Sequence, residues 1–433
     1  MGTEISLDIA GLSVDWSKNH RGADHGFLFQ SDDRRRVSLG DDDHDDDPNQ
    51  SLMGMAFIRP LRTILPRLEL LGHTVATAKV DYERAAAACV EDRRSLWEEG
   101  IGEELPLELM SFGEFKDFVT KDAITDLDDS IWTDMSDEGE RRTKGRFADD
   151  AITGRVPTTS AYDIDGYSER SYFGSLIGFL HPNNVLRLLA ENERNLHADL
   201  EWRYGPLVCN GWAEEGEFVP EVRRSQTFLI ATEGKSDTRI IKHAVSLLRP
   251  EIADFFRFVD VGKGYPFTGT GNLLLFAQGL AKIDVHNQIL FVLDNDAEGV
   301  SAYRRISELA LPANMRAATL PELARFENFR SRGSGGTGTA DINGRAAAIE
   351  CYLDLTAERK SPAEVVWSAD KKDLDYCQGK LVNKGAYTKT FLKRASMIRG
   401  YDMSGLMAVL DMIVAECRAI AETGYSNRIN ALR

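Results

Sequence analysis

TFLIATEGKSD (residues 227–237) and QILFVLDNDAEG (residues 288–299) decide the fold of this chain. Each is an apolar, β-branched and aromatic run that ends in acid, the first at Glu233 and the second at Asp294 and Asp296. The segment between them predicts helix, strand and helix, so we expect the two acid-bearing strands to be parallel neighbours. Ligands of open α/β sheets bind at the carboxyl edge of the strands. Three carboxylates converging there predict a hard-cation site, most naturally for Mg²⁺ or Mn²⁺.

The surrounding pattern predicts an α/β domain over residues 225–355, with a parallel four-stranded sheet flanked by helices. The strands are nearly continuous apolar runs, which fits burial on both faces of the sheet. The predicted strands are 227–232, 255–261, 288–293 and 314–319, and the predicted helices are 237–248, 270–282, 297–310 and 341–354.

Three further regions are predicted on either side of this domain. Residues 1–50 read as a β-rich segment with strands at 4–14 and 26–30 and an acidic loop, DDDHDDDPN, at 41–49. Residues 51–220 carry mostly helical patterns and complete an N-terminal α+β region. Residues 356–433 read as a helical C-terminal region.

Composition excludes several classes of protein. The net charge of −17 argues against a broad nucleic-acid-binding surface, although it leaves room for a local basic groove. Five scattered cysteines without a C-x-x-C pair predict neither a disulfide framework nor a zinc site. The sequence shows no signal peptide and no apolar run long enough for a membrane span, so we expect a cytoplasmic protein with no membrane partner.

A basic segment stands out near the C-terminus. Residues 371–400 carry eight Lys or Arg against two acids, with aromatic residues interleaved. This pattern predicts either a contact surface for a nucleic-acid partner or a solvated helix face. The candidate nucleic-acid-binding residues are Lys371, Lys372, Lys384, Lys389, Lys393 and Arg394.

Three segments resemble known ligand-binding motifs but lack a residue or a structural context that the motif requires. A phosphate-binding P-loop needs glycine five positions before Gly234, where this chain has Leu229. An EF-hand beginning at Asp294 needs glutamate at its twelfth position, where this chain has Arg305. GSGGTG (residues 333–338) does not directly follow a predicted strand, so we interpret it as a flexible loop rather than a dinucleotide fingerprint.

Glu233 followed by Gly234, with Asp294 and Asp296 after a later strand, resembles the Toprim domain of topoisomerases, bacterial primases, recombination mediators and overcoming-lysogenization-defect (OLD) nucleases. The resemblance covers roughly residues 225–320 and implies a Rossmann-like fold in which Glu233, Asp294 and Asp296 are catalytic and bind metal. The form EGKSD is most similar to the OLD version, in which Asp237 would also hold metal. Asp237 would equally serve as a helix cap.

A second acid is implied by the same resemblance. OLD-type enzymes place an acid after the fourth strand, which makes Glu350 a candidate ligand for a second metal ion. The alternative is a surface glutamate on an amphipathic helix over residues 341–354.

The N-terminal segments DIAGLSVDWSKNHRGADHGFLFQ and FIRPLRTILPRLELLGH resemble bacterial proteins described as HEPN/Toprim-associated, which are linked to phage defence. HEPN ribonucleases use an Arg and a His four to six residues apart, and the match here is Arg67 with His73. Their apolar helical context favours a structural pair, so no active HEPN nuclease is expected.

The resemblance implies a metal-dependent nuclease acting on DNA or RNA. A non-catalytic module that binds metal and nucleic acid, and a ribonuclease directed at tRNA, remain alternatives. Typical OLD proteins carry an ATPase domain that this sequence lacks, which leaves room for a regulatory partner protein. The apolar side of a helix at 404–422 could pack internally or form a homo-oligomer.

Overall fold

The computed structural model describes residues 2–37, 52–99, 108–133, 136–158, 166–259, 269–283, 285–357, 362–368, 377–393 and 400–431. The chain forms two compact units, Arg223–Gly424 and a first unit that combines Met1–Val222 with Tyr425–Arg433. Within the described ranges no helix has the length and apolar character that a membrane crossing requires. The predicted acidic loop at 41–49 lies outside the described residues.

The first unit is built on a five-stranded antiparallel sheet with the order β2-β1-β5-β4-β3. Its inner face is apolar, with Leu7, Phe57 and Trp202 all nearly inaccessible to solvent. The strands are β1 (Glu4–Ile9), β2 (Leu12–Lys18), β3 (Arg34–Arg36), β4 (Met55–Pro60) and β5 (Asp199–Arg203).

Two predicted strands of this region are wrong. Residues 4–14 are not one strand, because Ala10 and Gly11 take φ angles of 47° and 80° and turn the chain into the β1–β2 hairpin. Residues 26–30 hold a 3₁₀ turn at Gly26–Leu28 instead of a strand. This turn lies under the sheet, where Leu28 and Phe29 are buried in the apolar core.

Helices cover most of the remaining first unit, and they pack around the same apolar core. These helices are α1 (Leu61–Leu70), α2 (Val75–Glu98), α3 (Phe112–Thr120), α4 (Asp137–Lys144), α5 (Asp150–Thr153), α6 (Glu169–Ile177), α7 (Pro182–Leu189) and α8 (Gly205–Cys209).

The second unit contains the predicted parallel four-stranded sheet, which has the order β10-β8-β6-β7. The central strand β8 (Gln288–Leu293) is buried from Ile289 onward, as expected for a strand covered on both faces. The other strands are β6 (Phe228–Thr232), β7 (Phe256–Phe258) and β10 (Met315–Thr319), and the accompanying helices are α9 (Lys235–Leu248), α10 (Thr270–Leu280) and α11 (Ala297–Ser307).

The helix predicted at 341–354 is wrong. Ala346–Ala347 form a short strand, β13, that pairs antiparallel with β9 (Asn295–Asp296), which lies between β8 and α11. A 3₁₀ turn at Ile349–Tyr352 follows. Pairing with a distant strand therefore overrides the helical preference of this Ala-rich segment.

The glycine-rich segment 333–338 is also not the flexible loop that its sequence predicted. It forms the tip of a hairpin between β11 (Phe329–Gly333) and β12 (Gly336–Ala340), and Gly336 takes a φ of 104°. This hairpin belongs to a second four-stranded sheet, β12-β11-β14-β15, with β14 at Val365–Trp367 and β15 at Gly379–Leu381.

The predicted helical region at 356–433 is confirmed only in part, because it contributes β14 and β15 as well as helices. Those helices are α12 (Lys384–Leu392) and the long α13 (Ser404–Ala431).

Candidate metal centre

Glu233 and Asp294 follow two adjacent parallel strands at the same edge of the sheet. Thr232, the last residue of β6, lies opposite Val292 near the end of β8. The backbone amide of Asp294 donates a hydrogen bond to Oε1 of Glu233 at 3.0 Å. The sheet register therefore places the two carboxylates side by side.

Asp296 is fixed by hydrogen bonds to both of its carboxylate oxygens. It is the N-cap of α11, and its Oδ1 accepts from the Gly299 amide at 2.8 Å. Its Oδ2 accepts from Nε2 of Gln378 at 2.5 Å, and Oε1 of Gln378 in turn accepts from the Glu298 amide at 3.2 Å. Each oxygen retains a lone pair for a further partner.

Gly299 is required for this arrangement by close packing. A Cβ atom at Gly299 would lie 2.2 Å from the carbonyl oxygen of Asp294. Only glycine allows the first turn of α11 to approach the end of β8 this closely. The short path from Asp294 to Asp296 and into the helix depends on this contact.

Asp237 lies in the first turn of α9, with 8% of its surface exposed. Ser236 donates a hydrogen bond to its Oδ1 at 3.0 Å, and a hydrogen bond from the Gly234 backbone also reaches the carboxylate. Asp237 therefore satisfies the helix N-terminus and faces the other acids at the same time. Both interpretations of this residue, cap and ligand, are compatible with its position.

Glu350 joins the same group from the 3₁₀ turn after β13. It is 2% exposed, so the alternative of a surface glutamate on an amphipathic helix is wrong. The amide of its neighbour Ile349 donates to Oδ1 of Asp294 at 3.0 Å, which fixes the turn beside the sheet edge. Nζ of Lys384 lies 3.4 Å from Oε1 of Glu350.

We call these five carboxylates the acid cluster: Glu233, Asp237, Asp294, Asp296 and Glu350. Burial raises the pKa values of Glu233, Asp237, Asp294 and Asp296, and repulsion from neighbouring carboxylates adds to the effect. Burial and then the Asp296 charge raise the pKa of Glu233 to about 8. Burial and then the Glu350 charge raise the pKa of Asp237 to about 6.

Asp294 is the centre of this repulsion. Burial raises its pKa well above the ordinary value, and the charges of all four other members of the acid cluster add to the shift. Burial also raises the pKa of Asp296, although the hydrogen bond from Gly299 opposes the change. The cluster thus gathers carboxylates whose negative charge is costly without a cation.

The acid cluster fits a hard cation by its donor chemistry, because all of its donors are carboxylate oxygens. Within the described ranges, however, no three His, Cys, Asp or Glu side chains surround one point closely enough to hold an ion as they stand. Coordination of Mg²⁺ or Mn²⁺ therefore requires rotation of these side chains. The other four carboxylates lie close enough to Asp294 for their charges to raise its pKa.

Three of the six predicted nucleic-acid-binding residues lie within the described structure. Lys384 lies at the acid cluster, and Lys389 and Lys393 are exposed on and just after α12. Lys371, Lys372 and Arg394 lie outside the described residues. The basic surface stays a prediction.

Arg67 and His73 have structural partners. Arg67 is fully buried and donates to the carbonyl oxygens of Phe27 and Phe29. His73 is hydrogen-bonded to Oδ1 of Asn184 at 2.9 Å, and burial lowers its pKa to about 3. A neutral, buried imidazole is unsuited to the acid step of a ribonuclease.

Two residues of the site were not recognised in the sequence. Gln378 holds Asp296 from a segment far along the chain, and no motif marks it. Lys384 was assigned to a nucleic-acid surface because of its basic neighbours, whereas the structure pairs it with Glu350. Only the tertiary fold identifies these contacts.

Comparison with known proteins gives one match. The family model described as HEPN/Toprim N-terminal domain 1 matches residues 1–226, which is more than half of the chain. No curated protein and no solved structure matches the chain.

Proposed function

We propose, given that the chain belongs to the HEPN/Toprim N-terminal domain 1 family, that it is a Toprim-type metal-dependent nuclease cleaving DNA or RNA. The observation that carries this proposal is the acid cluster, which lies at the carboxyl edge of a parallel sheet where such folds bind ligands. The resemblance of the N-terminal region to defence proteins suggests a role against phage, in the cytoplasm of a bacterium.

Asp294 and Asp296, with Glu233 beside them, would hold one Mg²⁺ or Mn²⁺ ion. Asp237 and Glu350 would complete the site for a second. When bound, such ions polarise the phosphate and lower the pKa of a water molecule.

In the absence of metal, Glu233 holds a proton more readily than an ordinary glutamate. Its Oε1 accepts the Asp294 amide, which leaves Oε2 as the oxygen that carries or releases a proton. Burial and the Asp296 charge raise its pKa to about 8, close to the pH at which most enzymes act. Proton transfer and metal ligation are both compatible with this position.

A module that binds metal and nucleic acid without cutting is the alternative from a different class. Such a module would act as a sensor or an assembly platform. A ribonuclease directed at tRNA shares the site of the main proposal and differs from it in substrate alone.

The test is incubation of the full chain with supercoiled plasmid, single-stranded DNA and total tRNA, in Mg²⁺, Mn²⁺ or EDTA. The key variant is Asp294→Asn, because asparagine keeps the oxygen that accepts the Ile349 amide and removes the charge. Glu308→Gln is the matched control, since Glu308 is exposed at the C-terminus of α11.

We expect metal-dependent cleavage that Asp294→Asn abolishes and Glu308→Gln retains. The polymer that is cut then decides between DNA and RNA, and cleavage of tRNA alone selects the third alternative. Full activity of Asp294→Asn would refute the proposed mechanism. Metal-dependent binding without any cleavage would support the non-catalytic module instead.

A further inference from the structure

The second sheet of this unit carries a recess of about 820 Å³ that none of the functional assignments above uses. It lies between the tip of the β11–β12 hairpin and the side chains of Arg345 and Trp367. No acidic side chain is among its described lining residues, although the whole chain has a net charge of −17. Arg345 is the one charged side chain among the described lining residues.

Arg345 has an unused charge and an unused hydrogen-bond donor. Its guanidinium carbon lies 5.3 Å from the centre of the Trp367 ring, in a cation–π contact. Its Nε atom is buried and has no hydrogen-bond partner. Arg345 forms no ion pair in the described part of the chain, so a negatively charged ligand can meet it unopposed.

Trp367 is held in place by a glycine on the neighbouring strand. A Cβ atom at Gly379 would lie 3.0 Å from the Trp367 ring and 2.6 Å from side-chain atoms of both Ala346 and Val365. The ring therefore packs directly against the backbone of β15. A rigidly supported aromatic ring is the usual platform for stacking a nucleobase.

The hairpin tip contributes glycines to the recess, beside Ser334 and Thr337. Gly335, Gly336 and Gly338 line it, and a Cβ atom at any of them would meet nothing within 4 Å. Packing therefore does not require glycine at Gly335 or Gly338. Bare backbone at these positions allows a flat ligand to approach closely.

The recess is continuous with the acid cluster through the backbone. Arg345 forms a bridge with Asp296, and the next residue, Ala346, pairs with Asp296 in the β9–β13 ladder. Cys377 lines the recess, and its neighbour Gln378 donates to Asp296. The recess and the acid cluster therefore share the backbone of the β9–β13 pair.

We propose that this recess binds one unpaired nucleotide of a nucleic-acid strand, with its base and its phosphate both against the stacked Trp367–Arg345 pair. This inference rests on the proposed nuclease function and names the substrate class: single-stranded or locally unpaired nucleic acid. A base in a duplex has both faces stacked on neighbours and cannot use the ring. The volume lies in the range of roughly 300–1,000 Å³ typical of small-ligand sites.

The experiment measures binding of a labelled single-stranded oligonucleotide and of its duplex to the full chain, at low salt in EDTA so that nothing is cut. Trp367→Ala should weaken single-strand binding by about tenfold or more and change duplex binding little. Trp212→Ala is the matched control, because Trp212 is 53% exposed and belongs to the first unit. Photocrosslinking with a bromouracil-substituted strand should label the peptide that contains Trp367.

A second variant keeps the test valid if Trp367→Ala fails to fold. Gly338→Val adds a side chain in a β-strand where space is open, so it should fill the recess and weaken single-strand binding without lowering Tm. The inference is overturned if both variants bind the single strand like the wild type, or if they weaken duplex binding equally. It is also overturned if a free nucleoside monophosphate binds as tightly as the strand.

The two proposals fail separately. Recess-dependent binding by a protein that cuts nothing in Mg²⁺ would refute the nuclease and leave the recess assignment standing. Cleavage that is lost in Asp294→Asn but unaffected by Gly338→Val would refute the recess assignment and leave the nuclease proposal standing.

Discussion

Nζ of Lys384 lies 3.4 Å from Oε1 of Glu350, and it joins a side chain that is 57% exposed to one that is 2% exposed. Within the described residues this is the only ion pair that a member of the acid cluster makes. Burial opposes the charge on Lys384, but the carboxylates of Glu350, Asp294 and Asp237 together outweigh it, and the net effect raises the pKa of the lysine. Lys384 thus partly neutralises the acid cluster when no metal ion is bound.

Lys384→Gln should therefore lower the stability of the metal-free protein and raise its affinity for metal. Removal of the ammonium group leaves Glu350 buried without its partner, so Tm in EDTA should fall by a few degrees. Affinity for Mn²⁺ should rise several-fold, because the ion no longer competes with a lysine. Thermal unfolding in EDTA and calorimetric titration with Mn²⁺ measure the two effects.

Lys389→Gln is the matched control for this prediction. Lys389 lies on the same helix, is exposed, and forms no ion pair in the described structure. Lys389→Gln should change neither the Tm in EDTA nor the affinity for Mn²⁺. A parallel loss of Tm and of Mn²⁺ affinity in Lys384→Gln would instead mean that the lysine supports the ligands rather than competing with the ion.

The raised pKa values of Glu233 and Asp237 predict how stability depends on pH. Glu233, with a pKa raised from 4.5 to about 8, binds a proton more tightly in the folded state than in the unfolded state. In EDTA, the contribution of Glu233 to the free energy of unfolding is therefore fully present below about pH 4.5. This contribution is lost as the pH rises toward 8. Asp237, with a pKa of about 6, contributes in the same direction over a lower window.

Divalent metal should offset the loss of stability that occurs as the pH rises. Metal binding requires deprotonated carboxylates, so it releases protons and strengthens as the pH rises. The gain in Tm on adding Mn²⁺ should be larger at pH 8 than at pH 5.5, while Tm in EDTA falls over the same range. An increase in Tm from pH 5.5 to 8 in EDTA, absent in Glu233→Gln, would contradict the predicted sign.

Local sequence patterns were sufficient for the sheet and for the acids at its edge. The apolar run of β8 and the acids after it depend on neighbouring residues in the chain, so the pattern predicts both the strand and the position of Asp294. The same reasoning failed for the segment around Glu350. There the Ala-rich sequence favours a helix, whereas pairing of Ala346 with Asp296 produces a strand and a turn.

The contacts of Gln378 and Lys384 could not be predicted from the sequence for a related reason. Gln378 directly precedes β15 of the second sheet and Lys384 follows that strand, so their contacts depend on where the sheet places β15. A single glutamine carries no recognisable motif. A lysine in a basic segment is more readily explained by its charged neighbours than by a buried glutamate far along the chain.

Gln378→Ala should impair the metal site without unfolding the protein. The substitution removes the hydrogen bonds to Asp296 and to the Glu298 amide, so Asp296 loses its fixed orientation. Loss of such a supporting partner lowers metal affinity or activity by about 10- to 100-fold. Titration with Mn²⁺ followed by intrinsic fluorescence measures the change.

Gln278→Ala provides the comparison for Gln378→Ala. Gln278 lies on helix α10, away from the acid cluster, and alanine suits that helix. It should bind Mn²⁺ like the wild type. Equal Mn²⁺ affinity in the two variants would show that Gln378 does not orient a ligand.

Gly299→Ala tests whether the path from β8 into α11 depends on a close backbone contact. An added Cβ would lie 2.2 Å from the Asp294 carbonyl oxygen, so the helix must move away from the strand end. Overpacking of this kind costs roughly 1–3 kcal/mol. We expect a lower free energy of unfolding together with weaker Mn²⁺ binding, since Asp294 and Asp296 lie on either side of the strained contact.

Gly279→Ala is the opposite case in the neighbouring helix, because a Cβ there would meet nothing within 4 Å. Alanine should stabilise α10 by up to about 1 kcal/mol and leave Mn²⁺ binding unchanged. Urea unfolding of the two variants in EDTA should therefore give shifts of opposite sign. If Gly299→Ala also stabilises the protein, the end of β8 and the start of α11 are farther apart than the structure places them.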